Sequence, residues 1–68
     1  MKPYQERVVA EENELNDKMN RLYDFLANSE DHLPRPELNL LKIQLAAMKA
    51  YRHSLAARID LFVKTQND

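Results

Sequence analysis

Hydrophobic side chains recur at alternating steps of three and four through the second half of the chain. Between Pro36 and Phe62 this spacing is unbroken, and one position of the series is charged. Steps of three and four place side chains along one face of an α-helix. The pattern therefore predicts one long helix. The positions of this seam are Leu38, Leu41, Leu45, Met48, Arg52, Leu55, Ile59 and Phe62.

A second series of mostly apolar residues lies on roughly the opposite side of the same predicted helix. These residues, called the second face below, are Leu40, Ile43, Ala47, Ala50, Ser54, Ala57 and Leu61. Alanine on an exposed face can simply reflect helix propensity. Leu40, Ile43 and Leu61 argue against that reading, because they would form an exposed apolar stripe. A helix in a simple hairpin needs one stripe, so we expect the second face to contact another chain.

The first half of the chain predicts another helix of similar length, from about residue 4 to residue 27. Its seam again has steps of three and four: Gln5, Val8, Glu12, Leu15, Met19, Leu22 and Leu26. We expect this helix to end near Asn28, a residue that tolerates the left-handed conformation found at many helix ends. The connector Ser29–Arg35 contains Pro34, which favours an extended Leu33. The second helix follows over about 36–63, and the polar tail 64–68 is expected to fray.

These elements predict an all-α fold, an antiparallel two-helix hairpin that forms a single domain over residues 1–68 and assembles into a symmetric homo-oligomer. In such a hairpin the residue numbers of facing positions add up to a constant. If Leu26 faces Leu38, then Glu12, the charged position of the first seam, faces Arg52, the charged position of the second. We therefore predict an ion pair between the helices, which sets the register more than it stabilises the fold. The alternative is that both charges face a ligand or a neighbouring subunit.

Composition excludes several classes of function. The chain has 68 residues, a formal net charge of -1, no Cys and no Gly. Disulfides, thiolate metal sites and Gly-rich phosphate loops are thereby excluded. No apolar run approaches the length of a membrane span, and the first residues are too polar for a signal peptide. We expect a cytoplasmic protein that has no metal or other cofactor and does not bind a membrane.

Catalysis and duplex binding are also disfavoured. No nucleophile and base occur in a recognisable arrangement, and His32 and His53 are isolated, so we expect no enzymatic activity and no metal site. The Lys and Arg residues are interleaved with acids on both helices, whereas a DNA or RNA duplex binder concentrates them in a stripe. A small anionic ligand needs only one or two cations and an aromatic ring to stack on. Of the three tyrosines, Tyr4 is the hardest to explain by packing within one hairpin.

Two stretches of the chain resemble a family of very small phage proteins described as crAssphage-related. These are MKPYQERVVAEENELNDKMNRLYDFL and LLKIQLAAMKAYRHSLAARI, which carry the patterns KxYQxRV, ExxEL and QLxxMxxYxxxLxxRI. More distantly, the two-helix plan with LAAMKAYRHSLAAR near its end is similar to the hairpin domain of phage anti-defence nucleotide sponges. That resemblance implies a non-catalytic homo-oligomer, hexameric in the best-known branch. It also implies sequestration of the cyclic di- or trinucleotide signals of CBASS immunity, or of Thoeris signals.

The resemblance also implies site residues. Tyr4 matches the aromatic residue near the start of the hairpin, and Lys18 matches a lysine on the first helix, both beside the dinucleotide. Arg58, which closes LAAR, matches an arginine of a separate trinucleotide site in some members. Arg7 and Arg52 are further candidates from this sequence. The competing hypothesis is a helical hairpin that binds a host or phage protein through the second face, with ordinary surface tyrosines and cations.

Overall fold

The computed structural model describes residues 1–66, except for the side chains of residues 30 and 66. Helix α1 spans Pro3–Ser29 and helix α2 spans Arg35–Gln66, with a 3₁₀ turn at Glu30–His32 between them. The helices pack side by side as an antiparallel hairpin that extends 52 × 15 × 15 Å. Over the described residues the predicted all-α hairpin is confirmed. Residues 67–68 of the predicted domain and tail lie outside this range.

Both predicted seams form the contact between the helices. The buried cluster contains Val8, Leu15, Met19, Leu45 and Leu55. Partly buried residues extend it along the rod: Leu22, Leu26, Met48, Ile59 and Phe62. Leu55 is the most buried of these side chains, with 1% of its surface exposed. Each of these residues belongs to one of the two series of three and four, so the hydrophobic pattern predicted which faces meet.

The predicted register is also confirmed. Arg52 Nε donates a hydrogen bond to Glu12 Oε1 over 3.0 Å, and the two residues are 40 positions apart. The side chain of Glu12 is 16% exposed and that of Arg52 is 44% exposed. The pair therefore lies at the edge of the seam, where water still reaches the guanidinium group.

The N-terminus of α1 is held by the buried side chain of Gln5, which belongs to the first seam. Gln5 is 7% exposed, and its Oε1 accepts a 2.8 Å hydrogen bond from the backbone N–H of Lys2. The backbone C=O of Lys2 in turn accepts bonds from the N–H groups of Gln5 and Glu6. This is the half of a capping box in which the third helical residue reaches back to the cap. The helix start, and with it Tyr4, is thereby fixed.

Helix α1 ends at Ser29, one residue beyond the predicted Asn28. No residue among those described has a positive φ, so Asn28 does not adopt the left-handed conformation. Asn28 remains helical and donates from Nδ2 to the C=O of Asp24 at 2.8 Å, and Ser29 leads into the 3₁₀ turn. The 3₁₀ turn thus connects the two helices without a left-handed residue among those described. Leu33 is extended, as the following proline requires, with φ -102° and ψ 142°.

The prediction of a frayed tail is wrong as far as it can be compared. Helix α2 continues through Lys64 and Thr65 to Gln66. The hydroxyl of Thr65 donates to the backbone C=O groups of Leu61 and Phe62, at 2.9 and 3.1 Å. They are the bonds that a threonine hydroxyl inside a helix commonly makes to the carbonyls three and four residues before it. The longer α2 places its last turns beside the first turn of α1.

The second face of α2 remains uncovered in the hairpin. Leu40, Ile43 and Leu61 are 63, 65 and 60% exposed, and the small residues between them are exposed as well. This confirms that α1 does not cover the second face. Neither helix, over the described residues, is long and apolar enough to cross a membrane.

Candidate functional site

The open end of the hairpin, where α1 begins and α2 ends, brings together two of the predicted site residues. The ring of Tyr4 meets the ring of Phe62 edge to face, with centroids 5.7 Å apart and planes at 84°. Tyr4 is nevertheless 45% exposed. Tyr4, the tyrosine hardest to explain by packing within one hairpin, thus has a partner in its own chain, because α2 is long enough to bring Phe62 beside it. The exposed part of the tyrosine side chain remains accessible to a ligand.

Arg58 joins this cluster through the same phenylalanine. Its guanidinium carbon lies 5.9 Å from the centre of the Phe62 ring, one helical turn away on α2. A cation at this distance from an aromatic ring is held by the ring quadrupole. Phe62 therefore contacts both Tyr4 and Arg58, and we call these three residues the end cluster. The sequence assigned Phe62 only to the packing seam, and its second role depends on contacts across the hairpin.

A shallow depression adjoins the end cluster. It has a volume of about 600 Å³ and is lined by Met1, Lys2, Tyr4, Gln5 and Thr65. Lys2 is a cation beside Tyr4 that the sequence analysis did not select. In the sequence, only its position two residues before Tyr4 indicated that Lys2 could belong to the site. The depression is open to solvent on one side, so a single chain can contact a ligand there but cannot enclose it.

Positive charge is concentrated at this end of the hairpin. The charged residues described in the first turns of α1 and the last turns of α2 are Lys2, Glu6, Arg7, Arg58, Asp60 and Lys64. Four of them are cations and two are acids, although the whole chain has a net charge of -1. The end therefore attracts anions that the rest of the surface does not.

The other predicted site residues lie at three different distances from the end cluster. Arg7 is exposed on α1 about one turn from Tyr4. Arg52 lies further along the rod, with its Nε engaged by Glu12. Lys18 is exposed on α1, about 21 Å from Tyr4 along the helix axis, given the rise per residue of an α-helix. The structure thus groups Tyr4, Arg7 and Arg58 and separates Lys18 from them within one chain.

The two remaining tyrosines have partners of their own. Lys49 Nζ lies 5.2 Å from the centre of the Tyr23 ring. The hydroxyl of Tyr51 donates a hydrogen bond to Oε1 of Glu11 across the hairpin. Both residues link α1 to α2, but with 42 and 46% of their surface exposed they are as accessible as Tyr4, so their assignment to packing rather than to stacking with a base stays a prediction.

The arrangement at the open end suits binding better than chemistry. It offers the exposed ring of Tyr4, the guanidinium group of Arg58 against the neighbouring Phe62 ring, and Lys2 in the depression. Groups of this kind bind flat anions that carry phosphates. In the described part of the chain no group of three His, Cys, Asp or Glu side chains lies close enough to hold a metal ion.

Comparison with known proteins gives one match. The family model described as Sequestin matches residues 2–61, which is most of the chain and includes both helices. No curated protein and no solved structure matches the chain significantly.

Proposed function

The chain belongs to the Sequestin family, and from that premise we propose that it is a non-catalytic sponge that binds and withholds cyclic oligonucleotide signals. The family name refers to sequestration, which fits a protein that lowers the free concentration of a ligand. The proposed ligands are cyclic dinucleotides or trinucleotides of bacterial immunity, CBASS signals first and Thoeris signals second. The proposed setting is the cytoplasm of a bacterium infected by a crAssphage-related phage that encodes the protein.

The observation that carries this proposal is the end cluster. In this proposal the exposed ring of Tyr4, which packs on Phe62, stacks on a base, and Arg58, which lies over Phe62, supplies a positive charge for a phosphate. Lys2 lines the same depression as Tyr4, and Arg7 follows Tyr4 by about one turn of α1. Stacking of a base on an aromatic side chain contributes about 1–3 kcal/mol, and each charged hydrogen bond to a phosphate adds to it.

The exposure of this cluster supports binding at a boundary between subunits. A ligand on one chain would keep much of its surface in water, which limits its affinity. A second chain laid over the depression would cover the ligand and could add Lys18 or Arg52 from elsewhere on the hairpin. We propose a symmetric homo-oligomer for this reason, and neither a nucleic-acid duplex nor a membrane as a partner. A slowly dissociating binder needs no turnover, because withholding the signal is sufficient.

The test is thermal unfolding of the purified protein in the presence of a panel of cyclic di- and trinucleotides. A ligand at a hundred times its Kd stabilises the folded state by about 2.7 kcal/mol, which raises the Tm of a domain this small by several degrees. Linear dinucleotides of the same bases serve as the ligand control. No stabilisation by any cyclic nucleotide would reject the proposed function.

A matched pair of variants assigns the binding to the end cluster. Arg58→Ala removes the cation beside Phe62, and Lys49→Ala removes the cation beside Tyr23, far from the depression. We expect the first variant to bind the nucleotide at least about tenfold more weakly, as the loss of a charged hydrogen bond predicts, and the second to bind normally. If the two variants bound the nucleotide equally well, the binding site would not be at the end cluster.

One observation favours a second candidate function, a module that binds another protein. The second face of α2 exposes three large aliphatic side chains along one side of the helix, and such a surface can receive an amphipathic partner. The nucleotide panel separates the candidates, because a protein-binding module gives no shift with any nucleotide.

A further inference from the structure

The second face of α2 has a composition that suits a close helix–helix contact. Large side chains stand toward its ends at Leu40, Ile43 and Leu61, and small ones fill its middle. All of these residues are exposed in the hairpin. A helix that crosses such a face can approach closely in the middle, because no long side chain separates the two backbones.

We infer that the second face is the interface of a two-fold symmetric dimer, in which α2 packs antiparallel against α2 of a second copy. In this register Ala47 of each copy faces Ala50 of the other. The inference concerns the assembly alone. It goes beyond the proposed function, and no ligand is needed for it.

Side-chain size supports this register. Stepping outward from the central alanines pairs each large residue with a small or compact one from the other copy. The facing pairs are Ala47 with Ala50, Ile43 with Ser54, Leu40 with Ala57, and Leu61 with Pro36. Large and small residues then interdigitate along the contact, as knobs and holes do in antiparallel coiled coils. Leu40 and Leu61 are both covered.

Charge complementarity supports the same register independently. In an antiparallel pair the residues that flank the contact face their counterparts on the other copy. Here Glu37 of one copy faces Arg58 of the other, and Asn39 faces Asp60. The two-fold axis repeats each pair, so the interface would contain two acid–base contacts and two amide–carboxylate contacts. All four side chains are exposed in the single hairpin.

Both registers one heptad away are poorer. In one of them Leu40 and Ile43 still face alanines, but Leu61 lies beyond the start of the partner's α2 and Glu37 faces a tyrosine instead of Arg58. The other shift places Ile43 against Leu61 and Ala47 against Ala57, so the large residues collide at the ends while the middle is left loose. The same shift places Leu40 against Lys64 and removes the acid–base contact of Glu37 with Arg58. Its flanks offer no opposite charges in exchange.

A pair of Ala→Glu variants tests whether this face is the interface. Ala50→Glu puts a carboxylate at the centre of the proposed contact, and Ala56→Glu makes the same change at an exposed position of α2 outside it. Sedimentation equilibrium without ligand should give a dimer, or a multiple of it, for the wild type and for Ala56→Glu. We expect Ala50→Glu to dissociate at least about a hundredfold more readily, since its charge would be buried without a partner. Circular dichroism should show equal helix content.

The register is tested by disulfides, because the chain has no cysteine of its own. Leu40→Cys/Ala57→Cys should oxidise to a covalent dimer, since the two positions face each other across the interface. Within one chain they lie about 25 Å apart on α2 and cannot bridge. Ile43→Cys/Leu61→Cys is the matched control for the shifted register and should cross-link at least about tenfold more slowly, as its sulfurs would not meet the required geometry.

Charge reversal completes the test. Glu37→Arg and Arg58→Glu should each weaken the dimer about tenfold or less, which is the range of exposed ion pairs, and the double variant should recover most of the wild-type affinity. The inference is overturned by a wild-type monomer at high concentration, by an Ala50→Glu protein as dimeric as Ala56→Glu, or by faster cross-linking of the control pair. A dimer that binds no nucleotide would reject the proposed function and leave this interface in place.

Discussion

Arg52 and Glu12 are the charged members of the two seams between α1 and α2, and Arg52 Nε donates to Glu12 Oε1 over 3.0 Å. Moving either helix by one turn would place each charge against an aliphatic side chain. The pair therefore selects the register in which the two helices meet. The same register places Phe62 beside Tyr4, so the end cluster depends on a contact in the middle of the rod.

The first prediction concerns the energy of this pair. Glu12→Ala, Arg52→Ala and the double variant form a thermodynamic cycle, and we expect a coupling free energy of about 0.2–1 kcal/mol, because both side chains are still reached by water. Urea unfolding at one protein concentration measures it. The coupling should fall in high salt, which screens exposed pairs. A coupling of zero would mean that the pair contributes nothing to the choice of register.

The second prediction concerns the most buried side chain. Leu55→Ala should cost about 2–5 kcal/mol, the range for a leucine truncated inside a packed core. Domains of this size have only a few kcal/mol of stability, so the variant should be largely unfolded at room temperature. Urea unfolding followed by circular dichroism measures both effects.

The matched control for Leu55 is Val63→Ala, a truncation on the same helix at a side chain that is 47% exposed. It should change the free energy of unfolding by less than about 0.5 kcal/mol. If the two truncations were equally costly, the seam would not be the core of the hairpin.

The third prediction separates the two tasks of Tyr4, which packs on Phe62 and is the proposed stacking platform. Tyr4→Phe keeps the ring and its edge-to-face contact, so nucleotide affinity should stay within about threefold of the wild type, as a π-face is what stacking requires. Tyr4→Ala removes the ring and should weaken binding by about 5- to 150-fold. Calorimetric titration with the nucleotide that stabilises the wild type gives both values. A Tyr4→Phe protein that loses as much affinity as Tyr4→Ala would assign binding to the hydroxyl instead.

Hydrophobic spacing and charge placement predicted most of the fold. The steps of three and four identified both contact faces and the uncovered second face, and aligning the single charge of each seam predicted the pairing of Glu12 with Arg52. The conformation of the chain near the helix ends was harder to predict. Asn28 tolerates a left-handed conformation but does not require one, so the 3₁₀ turn was not predictable from its identity. Likewise, the polar composition of the tail does not reveal that α2 remains helical through Gln66.

The candidate site was also harder to predict from the sequence, because its contacts form where the helix ends meet. Tyr4 and Arg58 were selected, but Phe62, which joins them, has the spacing of a core residue. Its second contact follows from where the two helix ends meet. Lys2 precedes the helix and belongs to no periodic series, so only the three-dimensional structure shows that it lines the depression with Tyr4.

The last prediction concerns Lys18, which lies about 21 Å from Tyr4 on the same helix and does not line the depression beside it. If Lys18 contributes to the nucleotide site, it does so from a neighbouring chain. Tyr4→Ala and Lys18→Ala should each abolish strong binding alone. When the two proteins are unfolded together and refolded, about a quarter of the sites should recover, because random mixing in a symmetric assembly joins an intact Tyr4 to an intact Lys18 that often.

The stoichiometry of a calorimetric titration counts these recovered sites, and the separately refolded proteins are the control. Full affinity of Lys18→Ala on its own would remove Lys18 from the site, and no recovery on mixing would mean that both residues act within one chain.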